Sequence, residues 1–151
     1  MFWVNNANRQ GFKFPADRML KIGEALTREL LAKPDCLNEN GDPMYVVGKD
    51  GYTSGLTLGR YSGLEGYICN ECGLESKELV IYNFDKKSTN FSEHGDSGLL
   101  IWTGHGRMVA MLHSGMLRGM SSHVTFGAPM WWIIRQLLLR YPKAIFNRVT
   151  F

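Results

Sequence analysis

Glu93-His94-Gly95-Asp96-Ser97-Gly98-Leu99-Leu100-Ile101 is the stretch that everything else in this chain is read from. Gly-Asp-Ser-Gly is turn chemistry, because glycine accepts positive φ and aspartate bonds to nearby backbone. The apolar run behind it reads as a buried strand. A serine hydroxyl is thereby set at the mouth of a strand, exposed by the turn and held from behind. Small neighbours leave room for a substrate to approach, which is how a nucleophilic serine has to be presented.

Working outward from that turn, the chain alternates short apolar runs with turn residues. Leu99 to Thr103 is followed by the turn Gly104-His105-Gly106, and then by a strand from Arg107 to His113. Gly115 to Ser122 reads as a loop of small residues and Val124 to Ala128 as another strand. Pro129 suits the first position of a helix, where its missing N–H costs nothing. Trp131, Ile134, Leu137, Leu138 and Tyr141 form an apolar stripe on that helix, predicted to pack against the strands, until Pro142 stops it.

Upstream, Glu78 to Phe84 is a strong apolar strand, Leu64 to Cys69 another, and Tyr61-Ser62-Gly63 the turn leading into the latter. Met44 to Val47 reads as a short strand, Gly48-Lys49-Asp50-Gly51 as a hairpin turn, and Tyr52 to Arg60 as its return. The expectation is a mostly all-β domain, an antiparallel barrel of six or seven strands closed by a C-terminal helix.

Asn38-Glu39-Asn40-Gly41-Asp42-Pro43 is a turn cluster that divides this pattern from an N-terminal segment. There Asp17 is a candidate N-cap, and Met19, Leu20, Gly23, Leu26, Leu30 and Leu31 recur at helical spacing until Pro34. Gly23 predicts a break in that helix. The expected organisation is a helical connector over 1–43 leaning on the domain from outside its core, the barrel and helix over 44–142, and a tail over 143–151.

A chain of 151 residues has room for one domain with a sizeable core. Its net charge of +3 is mild and the basic residues form no stripe, which argues against nucleic acid as a partner. No apolar run reaches the roughly 20 residues that span a bilayer. The longest candidate, Ala128 to Leu139, is broken by Arg135 and Gln136. The apolar face at Trp131, Trp132, Ile134 and Leu138 has only Arg135 and Arg140 beside it, too few cations for a helix lying on a membrane.

Met1-Phe2-Trp3-Val4 runs straight into Asn5-Asn6 without the pattern of a secretory signal, so an intracellular, cytoplasmic setting with reduced thiols is expected. Cys69-Asn70-Glu71-Cys72 has only Cys36 as a further thiol and no histidine at ligand spacing, short of the four ligands a structural zinc needs. A redox dithiol needs the N-terminus of a helix, which this stretch does not offer. Neither a metal nor a cofactor is expected.

The order of these features carries a family resemblance. Gly95-Asp96-Ser97-Gly98 before an apolar hairpin, then His113-Ser114-Gly115, then a strand and a closing helix, resembles the second barrel of trypsin-like serine proteases over roughly Met44 to Tyr141. Gly55-Leu56-Thr57-Leu58-Gly59 falls where that barrel has an early strand bearing glycines. Gly11-Phe12-Lys13-Phe14-Pro15 and Val47 to Arg60 are similar to fungal proteins that carry a trypsin-like domain. The bland alternative is an unrelated small barrel whose turn happens to read Gly-Asp-Ser-Gly.

The resemblance implies that Ser97 is the nucleophile and that the backbone N–H groups of Gly95 and Ser97 form an oxyanion hole. It makes Asp96 structural. In secreted members that aspartate pairs with an amine freed by cleavage, and no cleavage motif is visible here. His113-Ser114-Gly115 would line the specificity pocket and pair with substrate backbone as an added strand. Phe91 would lie at the pocket floor, where an apolar residue argues against a preference for basic side chains.

A serine hydroxyl needs a base, and in this family His and Asp precede Ser along the chain. His94, His105, His113 and His123 all lie close to Ser97 or after it, and the segment before Met44 is too short for a preceding barrel of that kind. His94, three residues before Ser97, is more simply an exposed turn residue than a base, and His113 a strand residue. His105 and His123 carry no particular signal.

Two readings follow from the resemblance. One is the C-terminal half of a serine endopeptidase, inactive alone because the barrel bearing His and Asp is missing. The other is a catalytically dead module that binds an extended peptide or dimerises through the uncovered barrel face. A third has a partner chain supply the missing barrel. The expected partners are therefore a polypeptide substrate, an N-terminal barrel, or a second copy in a homodimer.

Overall fold

The computed structural model describes residues 20–69, 72–116 and 123–146. Asp17 and Met19, residues 117–122 of the loop read over Gly115 to Ser122, and Asn70-Glu71 lie outside the described residues. The described chain runs α1 (Arg28–Leu31), β1 (Cys36–Leu37), β2 (Pro43–Gly51), β3 (Gly55–Cys69), β4 (Glu75–Asn83), β5 (Leu100–Thr103), β6 (Met108–Gly115), β7 (Val124–Pro129) and α2 (Met130–Arg140). Every strand pairing is antiparallel, in the order β1-β2-β3-β4-β7-β6-β5. β5 returns to β2 through Val47↔Thr103 and Gly48↔Trp102. Six strands thus close a barrel, and β1 adds a seventh outside it, as the alternation of apolar runs and turns predicted.

The interior is filled by alternate residues of the strands: Tyr45 and Val47, Tyr61, Leu79 and Ile81, Ile101, Val109 and Leu112, with Phe91 from the loop after β4. Tyr45 and Tyr61 stack with centroids 6.5 Å apart. Closure is tight at Gly48, where a Cβ would stand 2.5 Å from the Trp102 ring. Only glycine lets β2 and β5 approach this closely.

Three expectations are corrected. Gly48-Lys49-Asp50-Gly51 is strand, paired to β3 from Gly48↔Leu58 to Gly51↔Gly55, and the hairpin turn is Tyr52-Thr53-Ser54. Lys49 decides this, because its side chain is wholly buried beside Asp96 and cannot sit in a solvent-facing turn. Tyr61-Ser62-Gly63 is not a turn between two strands. β3 runs through it, absorbing the extra residues as a register shift between Tyr61 and Glu65, with Gly63 at φ +83°.

The third concerns the N-terminal segment. Helix is confined to the four residues of α1, capped by the Thr27 hydroxyl accepting from Leu30 N–H at 3.3 Å. Residues 23–26 are extended and strapped across the start of β6: Gly23 N–H donates to Gly106 O, Met108 N–H to Glu24 O and Leu26 N–H to Met108 O. Leu26 and Leu31 are core residues, and the Tyr45 hydroxyl bonds to the carbonyls of Leu30 and Lys33, at 2.8 and 3.1 Å. The segment completes the core instead of leaning on it.

Helix α2 follows β7 directly, with Pro129 one residue earlier than expected, at the N-cap. None of its residues is fully buried, although Trp131 packs partly on the core. Of the predicted stripe, Leu137, Leu138 and Tyr141 are exposed, so only the first half of the helix leans on the barrel.

Candidate active site

The chemistry-bearing turn lies between β4 and β5 and is built around Asp96, which has no exposed surface. The Asp96 carboxylate accepts from Glu93 N–H at 3.0 Å, Thr53 N–H at 3.2 Å, Ser54 N–H at 3.4 Å and the Ser54 hydroxyl. Lys49 Nζ lies 3.1 Å from Asp96 Oδ2, both side chains wholly buried, and Lys49 also donates to the Ser54 hydroxyl. Burial by itself raises the Asp96 carboxyl. The bonds from Ser54, Glu93 and Lys49, with the charge of Lys49, outweigh it and hold the carboxyl far below the usual carboxylate range.

This network clamps the tip of the β2–β3 hairpin to the serine turn. Gly51 is required there, because a Cβ would run into the Asp96 carboxylate and lie 2.9 Å from Lys49 Nζ. Gly95 is required twice over, by its φ of +104° and by a Thr53 hydroxyl 2.5 Å from where a Cβ would stand. The turn then closes through Asp96 N–H to Glu93 O, Leu99 N–H to Asp96 O and Gly98 N–H to Leu112 O.

Ser97 projects from this frame into solvent. Its hydroxyl donates to His113 O at 3.4 Å, and no imidazole or carboxylate bonds to it among the described residues. The backbone N–H groups of Gly95 and Ser97 likewise reach no protein acceptor among the described residues. His94 and His105 are exposed, and His113 is exposed with Nδ1 3.1 Å from the Ser114 hydroxyl.

β6 passes beside the turn. Its pairing on the β5 side ends at Leu112, which exchanges bonds with Gly98 and Leu99, whereas on the β7 side it continues through Ser114↔Phe126 and Gly115↔Thr125. The backbone of residues 113–115 is therefore open on the Ser97 side, an edge that an extended peptide can join.

Phe91 is not at a pocket floor. It has no exposed surface, its carbonyl accepts from the Thr57 hydroxyl at 2.6 Å, and its ring packs under Gly59 inside the barrel. The next residue, Ser92, occupies the place beside Gly115. Its hydroxyl is 2.6 Å from Thr125 Oγ1, and both hydroxyls are 3.4 Å from His123 Nε2. Burial holds the His123 imidazole below its ordinary value, against the opposing effects of the Glu93 charge and of a bond from the ring to the Ser92 backbone. Sequence reasoning missed Lys49, Ser92, Thr125 and His123 as neighbours of the site, because Lys49 and Thr125 are brought there by strand register, Ser92 and His123 by the segments outside the strands, and none lies in a motif.

The fold has counterparts among solved structures. A glutamic acid-specific serine protease, described as using a histidine triad in substrate binding, matches at TM-score 0.50 and 14% identity over 86% of this chain. The barrel has the fold of part of a chymotrypsin-like serine protease. The chymotrypsin of Cellulomonas bogoriensis also matches, at TM-score 0.45 and 19% identity over 74% of this chain. The chain spans about half the length of these proteases, 56% and 52% respectively. No family model and no curated protein matches the chain.

Proposed function

We propose that this chain contributes the nucleophile half of a serine endopeptidase site, with Ser97 as nucleophile and the N–H groups of Gly95 and Ser97 as oxyanion donors. The carrying observation is that Ser97 stands exposed on a turn fixed from beneath by a wholly buried Asp96–Lys49 pair. Donors held rigid in advance cost no reorganisation when charge develops on a scissile carbonyl. The open edge at residues 113–115 would bind substrate as an added strand, with Gly115 leaving room beside Ser92 and His123.

The base that takes the Ser97 proton lies outside the described barrel, on a further domain or a partner chain. General-base assistance is worth about 10²- to 10⁴-fold, so the chain alone reacts slowly. A fluorophosphonate probe tests this in a sample whose fold is confirmed by circular dichroism. Labelling is expected at Ser97, slow at neutral pH, accelerated by added imidazole and absent from S97A. Silence under all conditions would favour the alternative, a peptide-binding module that keeps the edge strand and has lost the chemistry.

A further inference from the structure

Away from the serine turn, a cavity of about 500 Å³ lies between β4 and the start of α2. Its floor includes Glu78, which is 6% exposed and whose Oε2 is buried without a hydrogen-bond partner. Neither ion pair found among the described residues involves this side chain. An ionised carboxylate sealed from water without a partner is strongly disfavoured, and such orphaned groups point to something missing.

The walls say what kind of group would satisfy it. Trp131 and Trp132 line the cavity, Trp132 being 48% exposed at its rim, and Glu65 and Glu75 add two further carboxylates. Two cations also line it. The ammonium of Lys77 is held 5.1 Å over the Tyr67 ring, and Arg28 makes no ion pair with Glu78. Indole faces attract a cation through the ring quadrupole, and a carboxylate takes a planar guanidinium through two parallel bonds. Among the described residues no group of ligands suits a metal ion, and the apolar walls suit an organic cation better.

We infer that the cavity between Glu78 and Trp131–Trp132 is a binding site for a guanidinium, presented by an arginine side chain of a polypeptide partner. The arginine stem lies along the indoles and its head meets Glu78, with Glu65 and Glu75 drawing it in from the rim. The site shares no residue with the Ser97 turn and does not depend on its chemistry.

Titration of the isotope-labelled chain with N-acetyl-arginine amide, followed by magnetic resonance, tests this. Saturable shifts of the Trp131 and Trp132 indole signals are expected, weakened about tenfold or more in E78Q. The neutral analogue N-acetyl-citrulline amide is expected to leave both signals in place. Unmoved indoles, equal shifts from citrulline, or an unchanged affinity in E78Q would each overturn the proposal. Should E78Q fail to fold, W132A at the exposed rim takes its place, and undiminished binding there overturns the proposal equally.

Discussion

Lys49 delivers an ammonium to a point where five donors converge on one carboxylate, and that concentration of charge makes the serine turn sensitive to single changes. Removing the cation in K49M strands a buried Asp96 carboxylate, and breaking a pair of this kind costs about 3–5 kcal/mol. Urea unfolding should show that loss, with K49M/D96N recovering most of it because both charges are gone. Asp96 also sets a pH dependence. Its carboxyl is depressed in the folded state, so its stabilisation is present above the unfolded value near pH 4 and is lost as pH falls through the lower folded value. Urea midpoints of the wild type measured below pH 4 should drop, and D96N should flatten that part of the curve. His123 acts on a different window. Its folded imidazole binds a proton less readily than an unfolded one, so acid favours unfolding as pH falls below about 6.5, and H123Q should remove that slope.

Elements show where sequence pattern informs and where it misleads. The order of strands, the serine turn and the closing helix were legible because apolar period and turn residues are local signals. Gly48-Lys49-Asp50-Gly51 misled because its composition is that of a turn, while Asp96, the partner beside which Lys49 is buried, lies far along the chain. Ser62-Gly63 misled similarly, since a glycine at φ +83° serves a bulge as well as a turn. G63A should therefore cost about 1–2 kcal/mol through backbone strain alone, because the nearest atom to the added Cβ is 3.9 Å away. Helix α2 misled through its stripe: an apolar period promises burial only where something covers it. Leu139 is 73% exposed, so L139K should shift thermal stability by less than about 0.5 kcal/mol by calorimetry.

At the scale of the molecule, the division at residue 43 that the turn cluster suggests cuts through the core. Leu26 has no exposed surface and Leu31 only 3%, and each buried leucine lost leaves a cavity costing about 2–5 kcal/mol. A chain begun at Met44 forfeits both leucines, the strap and the Leu30 and Lys33 carbonyls that receive the Tyr45 hydroxyl. Against a typical total of about 5–15 kcal/mol, that is enough to abolish cooperative thermal unfolding by circular dichroism. The same barrel, kept whole, should unfold in one transition.

The strap over residues 23–26 also has a consequence in time. It leaves the ribosome before the barrel strands, and its backbone partners at Gly106 and Met108 follow roughly 80 residues later. During synthesis Leu26 has no interior to enter until β6 is made. The segment made early docks late, as a latch that closes on a barrel assembled in its absence.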